Sequence, residues 1–94
     1  MLKSLSFEDV LLVPQFSDIV SRKEVDISCK LGNKINLDIP IISSPMDTVT
    51  ENLVAVEMYN HGGLGVIHRY NSIEEQAALV KSCNGATVGA AVGV

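Results

Sequence analysis

Two short stretches carry side chains able to do chemistry, and each follows an apolar run of strand-forming residues. The first is Ser43-Ser44-Pro45-Met46-Asp47-Thr48-Val49-Thr50-Glu51, directly after Ile39-Pro40-Ile41-Ile42. Small hydroxyls, a polarizable thioether and carboxylates stand there just ahead of an apolar helical pattern. At such a helix start the first backbone N–H groups lack intrahelical partners and the dipole is positive, which favours an anionic or polar ligand. Asp47 either reaches that ligand or serves the helix end, and Glu51 reads as a cap rather than a base. The second stretch is His68-Arg69-Tyr70-Asn71, after Leu64-Gly65-Val66-Ile67. His68 can contact a cofactor or orient a neighbour, and the planar fork of Arg69 suits phosphate. Beside these stand plainer readings: Met46 as core, Ser44 as a turn residue, His68 as a satisfied polar group at a strand end, Arg69 as solvated.

Other candidates fall away. Gly85, Gly89 and Gly93 recur at every fourth position but do not make the dinucleotide pattern GxGxxG, and no acidic residue follows at the required distance. Cys29 and Cys83 have neither CxxC nor Cys/His ligand spacing, so two free thiols and no metal site are expected.

The elements that must position these residues are punctuated clearly. Pro40–Ser43 reads as a strand. Thr48 and Glu51 have capping-box spacing, and a helix is expected from about Val49 to Asn60, with Val49, Leu53 and Val56 on one face. His61-Gly62-Gly63 stops it, Gly62 suiting the left-handed cap position. The pattern then repeats. Leu64–Ile67 is a strand, Ser72 and Glu75 form a second capping box, and Ile73, Ala77 and Val80 form a second stripe. Asn84-Gly85 ends that helix, and Thr87–Val92 begins a third strand. Strand–helix–strand–helix–strand with short connections predicts an α/β fold with parallel strands, whose functional loops lie outside the strands' carboxyl ends. Residues 1–38, with short runs at Leu11–Pro14, Glu24–Ile27 and Lys34–Leu37, read as an irregular N-terminal arm or a small hairpin.

Composition excludes several classes. The 94 residues are 47% apolar but only 4% aromatic, an aliphatic chain suited to strands covered by helices. Net charge is −4 with no basic cluster, against a nucleic-acid partner. No apolar run reaches the roughly 20 residues that span a bilayer, and Met1–Asp9 lacks a signal-peptide pattern; a cytoplasmic protein is expected. Three parallel strands leave two open edges, so the fold is expected to be unfinished, the remainder coming from further chain or a second polypeptide.

With these residues set out, the chain resembles the N-terminal part of the IMP dehydrogenase / GMP reductase family. The resemblance rests on Leu5–Pro14, Ser43–Glu51, Gly62–His68, Ser72–Ala77 and Val88–Gly93, five matches in the right order. It implies the first part of a (β/α)8 TIM barrel: residues 1–38 as arm, residues 39–94 as three strands and two helices, in a homotetramer. In the family a cysteine thiolate attacks C2 of the purine of IMP, hydride passes to NAD, and water releases XMP. Neither Cys29 nor Cys83 stands in the family's cysteine motif, so no catalytic residue is expected here. The resemblance implies that Ser44, Met46 and Asp47 bind the purine nucleotide, Met46 packing on the ring, and that His68, Arg69, Ser21 and Arg22 lie on the cofactor side. A monovalent cation such as K+ is a further implication.

Many IMP dehydrogenases insert a regulatory CBS module after the second helix. Val80–Ala86 crosses that point directly, so none is expected. GMP reductase, which converts GMP to IMP and ammonia with NADPH, is the rival reading, favoured by the missing module and by Ser21–Val25. Thr48–Glu51, Gly62–Gly65 and Val88–Val92 are closer to dehydrogenases. A truncated chain that is a non-catalytic assembly partner is the third.

Overall fold

A computed structural model describes residues 3–94. Two small sheets follow one another along the chain. The first is an antiparallel hairpin of β1 (Cys29–Leu31) and β2 (Ile35–Leu37), with Cys29 opposite Leu37. Its three-residue connection begins at Gly32, whose φ of +62° is the left-handed conformation that glycine adopts without steric cost. The second sheet is parallel, in the order β3 (Ile42–Ser43), β4 (Leu64–Ile67), β5 (Gly89–Ala90), and α1 (Asn52–Asn60) and α2 (Ile73–Ser82) make the crossovers. Ile42 pairs with Leu64 and Val66 with Gly89, so all three strands present their carboxyl ends on one side.

Local chemistry explains the helix limits. Gly62 lies at φ +89°, its N–H donates to the Tyr59 carbonyl, and the Gly63 N–H donates to the Met58 carbonyl. This pair of bonds is a Schellman closure. Ser72 accepts a hydrogen bond from the Glu75 N–H and caps α2, as its spacing predicts. At the other end Asn84 and Gly85 both take positive φ.

The expected start of α1 is corrected. Thr48 lies in a turn rather than at a cap, and Glu51 is the N-cap residue without a side-chain cap bond. The N–H groups of Val49 and Thr50 both donate to the Met46 carbonyl, closing a separate turn that delays the helix to Asn52. The expected strand limits also shrink: pairing covers only Ile42–Ser43 and Gly89–Ala90. In the arm, Glu24–Ile27 is not a strand; a 3-10 turn spans Arg22–Glu24, another spans Phe7–Asp9, and Leu11–Pro14 carries no regular element.

The predicted apolar stripes hold only in part: in the first, Val56 packs on the core as expected but Val49 and Leu53 do not, and the α2 stripe runs one residue out of phase. In α1 the inward side is Ala55 with Val56, whereas Leu53 is 77% exposed. In α2 it is Leu79, leading to Cys83, whereas Ile73 is 83% exposed. The core joins Ala55, Ile67 and Cys83, with Val56, Leu79, Ala86 and Val88 against them. Burial pushes the Cys83 thiol above its ordinary value, and its Sγ contacts the Leu79 carbonyl, so it is a packing residue.

Candidate functional site

The loop after β3 is pinned from inside by Thr50. Its side chain is fully buried, with Oγ1 2.7 Å from the Ser44 carbonyl oxygen and 2.8 Å from Ser43 Oγ. A threonine hydroxyl has one proton, and a carbonyl can only accept. Thr50 therefore donates to Ser44, and Ser43 donates to Thr50. This anchor leaves the Ser44 and Met46 side chains outside, Met46 half-exposed.

The loop after β4 is organised by His68 and Gln76. The Gln76 side-chain amide donates to the carbonyls of His68 (3.1 Å) and Ala91 (2.9 Å), tying α2 to the tips of β4 and β5 together. His68 is 4% exposed, and its Nδ1 accepts the Tyr70 N–H at 3.1 Å. An imidazole that accepts at Nδ1 carries its proton on Nε2 when neutral. His68 Nε2 and Asn71 Nδ2 are buried without a hydrogen-bond partner among the described residues. Beyond them, the Arg69 guanidinium lies 5.2 Å from the centre of the Tyr70 ring, within cation–π range.

These loops enclose one open cleft of about 650 Å³, lined by Asp47 and Glu51 from the first loop, His68, Tyr70 and Asn71 from the second, and α2. Beside it, Met46, Asp47 and Tyr70 line a smaller hollow of about 270 Å³. The carboxyl-end loops of β3 and β4 thus meet, Asp47 and Tyr70 belonging to both spaces. The cleft offers buried N–H donors on its floor and the carboxylates of Asp47, Glu51 and Glu75 around it. Among the described residues no cluster of three or more His, Cys, Asp or Glu is arranged to hold a metal ion.

Of the residues singled out from sequence, Asp47 and His68 line the cleft and Met46 and Asp47 the hollow, while Ser44 and Arg69 follow the ends of β3 and β4 but line neither space. Ser21 and Arg22 do not join them. Ser21 accepts the Lys23 N–H in a 3-10 turn of the arm, and neither residue lines the cleft. Thr50 and Asn71 lie inside the two stretches singled out from sequence but were given no role of their own there, and Gln76 was given none either. A threonine beside a helix start and a glutamine inside a helix carry no spacing signal of their own; only the contacts reveal them.

Comparison with known proteins bears on the same region. The model of the "IMP dehydrogenase / GMP reductase domain" matches residues 4–93. An inosine-5'-monophosphate dehydrogenase of Nitrosopumilus maritimus is 52% identical over 75 residues, 80% of this chain and 16% of its own. A GMP reductase of Leishmania donovani is 51% identical over 79 residues, 84% of this chain and 16% of its own. A dehydrogenase of the same name from Staphylococcus aureus is 55% identical over 75 residues. The chain thus spans about 16% of the length of the relatives it matches. A crystal structure of GMP reductase from Trypanosoma brucei superposes with a TM-score of 0.77 at 45% identity, covering 87% of this chain and 19% of that one. A family match over nearly every residue, with relatives above 50% identity and a shared backbone, leaves one assignment: the chain belongs to the IMP dehydrogenase / GMP reductase family.

Proposed function

We propose that residues 39–94 form the first three strands and two helices of a (β/α)8 barrel, with residues 1–38 as its arm, and that they build one wall of a purine-nucleotide pocket. The observation that carries this reading is the meeting of the β3 and β4 carboxyl-end loops around shared residues Asp47 and Tyr70, the end where barrel enzymes place their chemistry. Met46, half-exposed beside that junction, packs on the purine face, with Ser44 and Asp47 offering polar groups to the nucleotide. Arg69 serves the cofactor side, where its guanidinium, 5.2 Å from the centre of the Tyr70 ring, suits a phosphate. The complete enzyme oxidises IMP to XMP, NAD when bound accepting the hydride. Within it, this chain binds and orients. The reacting cysteine, any K+ site and the remaining strands lie outside these 94 residues, and the assembly is a homotetramer without a CBS module.

A second reading, GMP reductase using NADPH, is supported by the 51% identity to a GMP reductase and by the backbone match to another. Turnover decides between them. The complete polypeptide carrying residues 1–94 is expected to form XMP from IMP plus NAD. Turnover of GMP with NADPH alone defeats the dehydrogenase reading.

A further inference from the structure

Resting on the nucleotide pocket proposed above, we infer that His68 is a positioning residue: through Glu51 it holds the start of α1, and with it the loop carrying Ser44 and Met46. The geometry is specific. His68 sits at the tip of β4 with its ring buried, and its Nδ1 is occupied by the Tyr70 N–H. The neutral tautomer therefore directs an N–H from Nε2, and that atom has no hydrogen-bond partner among the described residues. The nearest carboxylate is Glu51, with Oε2 3.8 Å away. A buried donor without an acceptor costs free energy, so this separation is an unstable arrangement for the pair.

Glu51 is the N-cap residue of α1, and its side chain is 52% exposed on the cleft side. It is free to swing by the roughly 1 Å that separates 3.8 Å from a good N–H···O distance. Once closed, the bond joins the tip of β4 to the N-terminus of α1 across the cleft. The Thr50 anchor lies one residue earlier and holds Ser44 from the other side. The loop is thereby gripped at both faces: from inside by Thr50, and from the cleft by the imidazole acting on Glu51. Neither His68 nor Glu51 needs to touch the nucleotide. Asp47 and Glu75 are the other carboxylates lining the cleft, and Ser82 and Tyr70 carry its hydroxyls; none of these side chains hydrogen-bonds His68.

The test is nucleotide affinity in the complete polypeptide, measured by calorimetry with both IMP and GMP so that the choice of reaction does not enter. Glu51→Ala, at a half-exposed position whose side chain makes no cap bond, should weaken binding about fivefold to tenfold. His68→Leu should do the same, and the double variant should be no weaker than either single one. His68→Gln keeps an N–H near the place of Nε2, and Glu51→Gln keeps an acceptor; both should restore most of the loss. Met46→Ala is the reference for the pocket itself. If it weakens binding while Glu51→Ala stays within twofold of the parent, or if the two losses add in the double variant, the positioning role is overturned. If Met46→Ala leaves affinity unchanged, it is the proposed pocket that fails.

Discussion

Thr50 holds the loop after β3 with a single hydroxyl. Its proton goes to the Ser44 carbonyl and its lone pair takes the proton of Ser43, the Thr50 side chain itself being fully buried. Thr50→Val keeps the shape and removes both bonds, leaving the part-buried Ser44 carbonyl and Ser43 hydroxyl short of a partner. The expected loss is about 1–3 kcal/mol of stability, read by urea denaturation of the complete polypeptide. Thr50→Ser keeps the hydroxyl and gives up one methyl, about 0.8 kcal/mol. Equal losses for both variants would assign Thr50 a packing role instead. His68 presents the same economy at the second loop: one ring nitrogen organises its own turn, and the other is left for Glu51.

The parallel unit is set by a close approach between α1 and β4. An added Cβ on Gly65 would stand 2.5 Å from the Ala55 Cα and 2.9 Å from its Cβ. A backbone atom cannot give way as a side chain does, so Gly65→Ala must push α1 off the strand. Overpacking of this kind costs about 1–3 kcal/mol, and nucleotide binding should fall with it because α1 begins at the loop. A variant with unchanged melting temperature and affinity would show that the helix is not seated this tightly. The same contact explains the phase of the apolar face in α1. Leu53 is the obvious apolar anchor by periodicity, yet against Gly65 the strand admits the small Ala55, with Val56 beside it. Periodicity marks where apolar residues recur, but size at the point of contact decides which face turns inward. Gly62 and the Ser72–Glu75 cap were readable because each stop or start is a local backbone event. The Thr48–Glu51 spacing misled because the preceding turn, closed on the Met46 carbonyl, competes for the same residues.

The molecule as a whole is open. Its radius of gyration is 17.2 Å, against about 12 Å for a compact domain of this length. Phe7, Leu11, Leu12 and Phe16 are each at least 95% exposed, and the described buried hydrophobic residues are Leu37, Ala55, Leu64, Ile67 and Cys83. That little apolar burial does not offset roughly 1–2 kcal/mol of backbone entropy per ordered residue. The isolated 94-residue chain is therefore expected to show no cooperative thermal transition by circular dichroism, and to associate in sedimentation velocity. A cooperatively melting monomer would refute this, and would favour a self-sufficient role over a share in the proposed barrel.

Family membership was readable from the resemblance carried by five motif matches, and the alternation of strands and helices from short-range patterns of caps, glycine stops and β-branched runs. Only the tertiary structure brought Asp47 to Tyr70 and Glu51 to His68, left Ser21 and Arg22 on the arm, and chose Ala55 over Leu53 as the inward residue. Those outcomes depend on which atoms approach across the sheet, where close packing and single hydrogen bonds between distant residues outweigh local preference.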